Sequence, residues 1–128
     1  MSKVRFLQQK LVKALFMKRV LLINDDADFQ FLMKNLLEKK GFNAQTIDAT
    51  DDVISLVERF APEVIIIDMK AETDKRICTE VRKKIKTQAK LILLTDKSIK
   101  PTDMHECKPD VVISKPFQPD DLIRKIVM

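Results

Sequence analysis

Five side chains that could take part in chemistry stand directly after apolar runs of the sequence: Asp25, Asp26, Asp68, Thr95 and Lys115. The longest Val/Ile run, residues 64–67, stops at Asp68. Where such runs form parallel strands, their carboxyl ends meet at one edge of the sheet, so these groups are expected to converge. Three carboxylates about 5 Å apart repel one another by roughly 3 kcal/mol per pair at an effective dielectric near 20. The pattern therefore predicts a site that requires a cation.

Mg²⁺ is the cation that this set of residues favours. Lys115 can neutralise only part of the charge, and Mg²⁺ prefers one or two carboxylates, water and phosphate oxygens. The sequence around the acids contains no His or Cys, which argues against zinc or copper. An aspartate can act as a nucleophile and form an acyl phosphate. The metal, Lys115 and a hydrogen bond from Thr95 would stabilise the transferring oxygens, so the pattern indicates phosphoryl transfer.

Alternating strands and helices would bring these groups together. Strands are predicted over 20–24, 43–47, 63–68, 91–94 and 111–114, and helices over 28–40, 73–86 and from 119 onward. A further helix is predicted between Thr50, as its N-cap, and Pro62. Residues 99–108 are predicted to form only one or two helical turns. This order favours a three-layer flavodoxin-like (βα)5 sandwich with a parallel sheet in the order 2-1-3-4-5, in which strands 1 and 3 are neighbours.

Length and composition fit one ordinary domain. The chain has 128 residues, of which 45% are hydrophobic, and no apolar run approaches the roughly 20 residues that span a membrane. The basic N-terminus lacks a convincing signal-peptide pattern. Cys78 and Cys107 form neither a disulfide framework nor a metal motif, so we expect reduced cysteines in a cytoplasmic protein.

Residues 1–18 form a basic amphipathic segment ahead of the domain, which we place at 19–128. Residues 1–19 carry six basic and no acidic side chains, whereas the rest has 18 basic and 19 acidic ones. The segment is predicted to be a helix that packs on its own domain, pairs with a partner helix or lies on an anionic membrane surface. A homodimer through this helix is one expectation. Direct nucleic-acid binding is not expected, since one short basic stretch without a recognition motif is a non-specific signal.

The sequence resembles the receiver domain of bacterial two-component response regulators over about residues 19–128. The resemblance rests on the acids after strand 1, the acid after strand 3, the hydroxyl after strand 4, the turn into strand 2 and the motif after strand 5. These are Asp25-Asp26, Asp68, Thr95, Gly41-Phe42 and Lys115-Pro116-Phe117.

That resemblance implies a signalling role rather than an enzyme. Asp68 would accept a phosphoryl group from a partner sensor histidine kinase or phosphotransfer protein, and a downstream effector protein would respond. For Mg²⁺, Asp26 and Asp68 would be direct ligands with the backbone carbonyl of Lys70, and Asp25 would act through water. Thr95 and Lys115 would contact the phosphoryl group. Because no further domain follows in the sequence, we expect a single-domain regulator or a part of a longer chain.

Departures from the family pattern leave two alternatives open. Ala71-Glu72 and Arg76 replace the usual Met-Pro pair and Gly, Asp96 follows the hydroxyl residue, and Val112 stands where an aromatic switch residue is usual. One alternative is therefore a pseudo-receiver that acts as a phosphorylation-independent interaction module. The other, a Mg²⁺-dependent phosphohydrolase, would need an acid two residues after Asp68, where Lys70 stands.

Overall fold

The computed structural model describes residues 3–5, 8, 18–50, 52–70, 72–96 and 106–128. Residues 3–5 and 8 are helical. Lys18, the last residue of the predicted N-terminal helix, is described and is not helical; the other residues of that helix, and most of the predicted turns at 99–108, lie outside the described residues. No helix in the described ranges is long and apolar enough to cross a bilayer.

Five parallel strands form one sheet in the order β2-β1-β3-β4-β5. Their bounds are β1 (Arg19–Ile23), β2 (Asn43–Ile47), β3 (Val64–Met69), β4 (Lys90–Thr95) and β5 (Val111–Ser114). The predicted flavodoxin-like order is confirmed, and the polar strand β2 is an edge, as its composition suggests. β3 and β4 are almost wholly buried because helices cover both faces of the sheet.

Between residues 18 and 128, the described part of the chain contains four helices that cover the sheet: α1 (Ala27–Lys39), α2 (Val53–Phe60), α3 (Glu72–Ile85) and α4 (Pro119–Val127). Alternate residues of the strands point to opposite faces, so the core divides into two clusters. Ile65 and Ile67 pack with the apolar sides of α2 and α3. Val64 and Ile66 pack with α1 and α4 on the other face. The rigid centre of the sheet therefore carries the strand ends at which the polar groups stand.

The helix ends agree with the sequence signals except at one cap. Gly41 adopts φ +95° after α1, the left-handed conformation that favours glycine, and Pro119 opens α4 as predicted. The predicted N-cap at Thr50 is wrong. α2 begins at Val53 with Asp52 as the capping residue, and the Thr50 hydroxyl oxygen accepts only a long bond of 3.4 Å from the amide of Asp52.

Cys78 and Cys107 are bonded as a disulfide, so the prediction of two reduced cysteines is wrong. Cys78 lies on α3 and Cys107 in the segment before β5, with Cα atoms 5.5 Å apart, a normal distance for a bridge. Both residues are buried. Their separation in sequence hid the pairing, because only the packing of α3 against residues 106–110 makes them neighbours.

Arg82 supports the same junction one turn further along α3. Its guanidinium donates to the carbonyl oxygens of Cys107 at 3.1 Å and Lys108 at 2.7 Å, and to the Asp110 carboxylate at 3.1 Å. The disulfide and these bonds together are called the α3 brace below. The brace fixes the chain that leads into β5, and hence the start of the strand that precedes Lys115.

Candidate functional site

Asp68 is a buried carboxylate near the end of the central strand. It is the fifth residue of β3, between the isoleucine run and Met69, and its side chain is only 2% exposed. β3 pairs with β1 on one side and β4 on the other, so neighbouring strand ends surround this side chain. A buried charge of this kind must be paired or hydrogen-bonded.

Three side-chain donors surround the Asp68 carboxylate. The ammonium group of Lys115 lies 2.5 Å from Oδ1. The side-chain amide of Asn24 donates to Oδ2 at 2.6 Å, and the ammonium group of Lys70 lies 3.6 Å from the same oxygen. Two cations and an amide thus offset the buried charge, and the two oxygens of Asp68 have different partners.

The orientation of the Asn24 amide is set by a backbone group. Its Oδ1 accepts a hydrogen bond from the backbone N–H of Asp26 at 2.6 Å. A backbone nitrogen can only donate, so the oxygen must face Asp26 and the NH₂ group must face Asp68. Asn24 is 2% exposed, and the amide therefore works inside the protein rather than at its surface.

Lys115 and Thr95 are placed by the pairing of β4 with β5. Thr95 is buried and pairs in register with Met69 of β3 and Ser114 of β5. The backbone N–H of Lys115 donates to the Thr95 carbonyl oxygen at 2.7 Å, and the Lys115–Pro116 peptide bond is cis. Thr95 therefore lies one residue beyond Asp68 on the next strand.

Asp26 has a structural task and also faces the site. Its Oδ1 accepts from the backbone N–H groups of Asp28 at 3.0 Å and Phe29 at 3.3 Å, which caps α1. A cavity of about 460 Å³ joins Asp26 to Asp68 and to both lysines. Its remaining wall is mostly apolar: Phe29, Met33, Pro116, Phe117 and Pro119. Asp26, Asp68, Lys70 and Lys115 therefore face one shared cavity.

Asp25 is turned away from this cavity. Its Oδ1 accepts from the backbone N–H of Ala49, in the loop after β2, at 2.8 Å. Within the described residues no three His, Cys, Asp or Glu side chains are grouped so that they could hold a metal ion. The expected cluster of three carboxylates is therefore absent from that part of the chain. The acids avoid mutual repulsion because each binds its own donors.

The donor chemistry that remains fits Mg²⁺. Asp26 and Asp68 line one cavity, and Mg²⁺ is usually bound through one or two carboxylates with water completing the shell. The backbone carbonyl predicted as a further ligand belongs to Lys70. The side chain of the same residue brings a positive charge to within 3.6 Å of Oδ2, so a metal ion held by Asp68 would have this lysine as a competing cation.

Three contributions to this site were missed by the sequence reasoning. Asn24 was assigned to a strand, and the Lys70 side chain was not expected to pair with Asp68, although its carbonyl group was predicted as a metal ligand. Asp74 on α3 was not considered, although it is buried and accepts from the backbone N–H of Lys70 at 2.7 Å. Two signals were available in the sequence. Asn24 is a polar side chain at the end of an otherwise apolar strand, and Asp74 is an acid in the first helical turn after the loop that follows Asp68.

Two of the residues that depart from the family pattern, Asp96 and Val112, are exposed in the structure, whereas Ala71 and the side chain of Glu72 lie outside what it describes. Asp96 is exposed beyond the end of β4. Val112 points outward from the edge strand β5 and is 43% exposed. No aromatic side chain therefore occupies this position.

Comparisons with known proteins agree with this architecture. The model of the family described as response regulator receiver domain matches residues 20–127. The CheY-like receiver domain protein of Methanospirillum hungatei JF-1 is similar in structure, with a TM-score of 0.75, 23% identity, and coverage of 87% of this chain and 91% of that one. The chemotaxis protein CheY4 of Vibrio cholerae gives a TM-score of 0.74 at 20% identity, covering 87% and 97%. NtrX of Brucella abortus gives 0.71 at 20% identity, covering 86% of this chain but only 26% of that longer one.

Proposed function

This chain belongs to the response regulator receiver domain family, and from that premise we propose that it is the phosphoacceptor of a two-component phosphorelay. In this proposal Asp68 receives a phosphoryl group from a partner histidine kinase or phosphotransfer protein. The observation that carries the proposal is the Asp68 carboxylate, buried at the end of β3, opening on a cavity and paired with Lys115 at 2.5 Å.

The transfer itself uses groups already in place. An oxygen of Asp68 attacks phosphorus, the phosphorus–nitrogen bond of the donor phosphohistidine breaks, and the imidazole leaves with the bonding electron pair. Oδ1 is the attacking oxygen in this scheme, because its partner Lys115 reaches it from the cavity while Oδ2 is held by Asn24. The Lys115 ammonium then follows the negative charge onto the phosphoryl oxygens.

Mg²⁺ belongs to the same proposal. Asp26, Asp68 and the Lys70 carbonyl would hold it, with Asp25, whose Oδ1 accepts from the amide of Ala49, acting through water. When bound, the ion supplies charge stabilisation for the phosphoryl oxygens. Asp26 offers its carboxylate from a helix cap, so its position is fixed before the ion arrives.

The output of the domain would be a changed contact with a downstream effector protein. A homodimer through residues 1–18 stays a prediction, because most of this segment lies outside the described residues. It is tested by sedimentation of the chain with and without residues 1–18. Equal monomer mass for both would contradict it.

The test of the proposed function is labelling by acetyl phosphate. The intact mass of the wild-type chain is followed with Mg²⁺ and with a chelator, beside Asp68→Asn and the matched control Asp120→Asn, an exposed acid of α4. We expect one phosphoryl group on the wild type and on Asp120→Asn with Mg²⁺, and none on Asp68→Asn. Labelling that survives Asp68→Asn would refute the assignment of the acceptor.

A pseudo-receiver is the second candidate, and the partners of Asp68 favour it. Lys115, Lys70 and Asn24 offset the buried charge through side chains of the protein itself. In that case the fold would serve as a phosphorylation-independent interaction module. A folded wild-type chain that takes no label with Mg²⁺, from either acetyl phosphate or a phosphorylated kinase, would favour this function over the first.

A further inference from the structure

Asn24 is a buried polar side chain at the end of a strand that is otherwise apolar. β1 buries Val20 to Ile23 in the core, and the next side chain is an amide that reaches Asp68 at 2.6 Å. Its oxygen is committed to the backbone N–H of Asp26, so the NH₂ group has one available direction. The amide therefore approaches Oδ2 from the interior, while Lys115 approaches Oδ1 from the cavity.

We propose that Asn24 is a positioning residue for Asp68 and that its hydrogen bond to Oδ2 shortens the lifetime of the acyl phosphate. The inference rests on the proposed function, because it concerns the product that Asp68 would form. It adds a group that acts through Asp68 without touching the phosphoryl group.

The physical reason lies in how charge moves when the acyl phosphate is hydrolysed. Water attacks phosphorus, the bond between phosphorus and the Asp68 oxygen breaks, and its electron pair returns to the carboxylate. Inorganic phosphate leaves, and the proton of the attacking water passes to phosphate or solvent. Asp68 thus regains a full negative charge during bond cleavage.

Asn24 binds the product of this cleavage more strongly than the reactant. In the acyl phosphate, Oδ2 is a carbonyl oxygen, and in the product it is part of a carboxylate. Hydrogen bonds to an ionised acceptor are roughly twice as strong as those to a neutral one. The amide therefore stabilises the transition state of cleavage, in which that charge is developing.

Gln30 provides a matched control beside Asn24. Its side-chain amide donates to the backbone carbonyl oxygen of Asn24 and to the Asp48 carboxylate at 2.8 Å. It supports the same strand end, but these two hydrogen bonds do not involve Asp68. Gln30→Leu removes a comparable amide and tests whether loosening this strand end is enough to change the lifetime.

The experiment measures the half-life of the label after acetyl phosphate is removed, at saturating Mg²⁺. We expect Asn24→Val to lengthen it on the order of tenfold, as the loss of one hydrogen bond to a developing charge implies. Gln30→Leu should stay within about twofold of the wild type. Thermal melts establish that each variant is folded, and Asn24→Ala replaces Asn24→Val if the latter does not fold.

A spectroscopic measurement tests the geometry separately. The side-chain amide resonance of Asn24 should move on Asp68→Asn, because its acceptor changes from a carboxylate to an amide, and should move much less on Gln30→Leu. If the Asn24 side-chain amide resonance does not move on Asp68→Asn, the inference is overturned.

The outcomes separate the two proposals. If the wild type takes label and Asn24→Val has the wild-type half-life, this inference is overturned and the acceptor assignment stands. If the wild type takes no label but Asn24→Val does, the function proposed for the native chain fails, while control of Asp68 by Asn24 is supported. If neither takes label, both fail.

Discussion

Asp68 and Asp110 each lie near the end of a strand, and each carboxylate is bound by several donors. The donors at Asp68 are all side chains, whereas those at Asp110 include a backbone N–H. Asp68 is bound by three side chains, two of them lysines that reach it from the cavity. Asp110 accepts from the backbone N–H of Leu91 at 2.8 Å and from the Arg82 guanidinium at 3.1 Å, and its own N–H donates to the Leu91 carbonyl oxygen at 2.9 Å.

The kind of donor determines whether a carboxylate can exchange its partners or keeps them fixed. A lysine side chain can leave a carboxylate and follow a phosphoryl group while the backbone stays in place. The backbone N–H of Leu91 is fixed by β4, so it cannot follow a new group, and Asp110 exchanges this donor only by turning its own side chain away. Asp68 is thus suited to change partners, and Asp110, as part of the α3 brace, is suited to hold the chain before β5.

Lys115→Met should break the site and produce the largest effect. Loss of one charged donor from the transferring oxygens is expected to slow labelling of Asp68 by roughly 10²- to 10³-fold. The variant should also lose about 2 kcal/mol of unfolding free energy, since Asp68 would keep its buried charge with fewer partners. Labelling rates and urea unfolding measure the two effects.

A double variant gives the control for Lys115→Met. In Asp68→Asn/Lys115→Met the buried charge is gone, so most of the lost unfolding free energy should return. If the double variant is as unstable as Lys115→Met alone, the stability effect comes from lost packing of the lysine stem and not from the ion pair.

Reduction of the Cys78–Cys107 disulfide should break the α3 brace and spare the site. The two residues are 29 positions apart in sequence, and closing a loop of that length is worth about 3 to 4 kcal/mol in the chain-entropy model. We expect a loss of that size in urea unfolding with reductant, and labelling of Asp68 within about twofold. A Cys78→Ser/Cys107→Ser variant that still responds to reductant would contradict the assignment of the effect to the bridge.

Sequence reasoning succeeded for the sheet because the signal was local and repeated. Each element of the fold has its own local signal with a physical cause: the isoleucine run for β3, the short links for the alternation of strands and helices, and Gly41 for the end of α1. The strand order followed from the alternation of strands and helices, and the structure confirms it.

The partners of the carboxylates could not be predicted, because they depend on which backbone groups are nearby after folding. Asp25 was expected beside Asp68 but binds the amide of Ala49 on the neighbouring loop. The Cys78–Cys107 disulfide was not predicted for the same reason. Spacing along the chain carries no information about a contact that only the packing of α3 creates.

Arg82→Leu should weaken the α3 brace by a smaller amount than reduction does. The Arg82 side chain is only 14% exposed, and its guanidinium donates to the carbonyl oxygens of Cys107 and Lys108, which would lose this partner. We expect a loss of about 2 kcal/mol in urea unfolding and no change in labelling. Lys83→Leu, an exposed neighbour on the same helix, is the control and should change stability little. A drop in labelling with Arg82→Leu would mean that the two regions are coupled.

Asp110→Asn should have the smallest effect, and one that depends on pH. Burial raises the pKa of the Asp110 carboxyl, but hydrogen bonds from Leu91 and Arg82 outweigh this and hold it below its ordinary value. A carboxyl with a lowered pKa stabilises the fold above its unfolded-state pKa, near 3.9, and loses that contribution as pH falls through its folded-state pKa. Because the side chain is 48% exposed, the contribution is screened and should be small. The unfolding free energies of wild type and Asp110→Asn should therefore differ most above about pH 5 and converge below pH 4. A difference that is the same at pH 7 and pH 3 would show that Asp110 acts through hydrogen-bond geometry alone, and its charge would then have no part in fixing the brace.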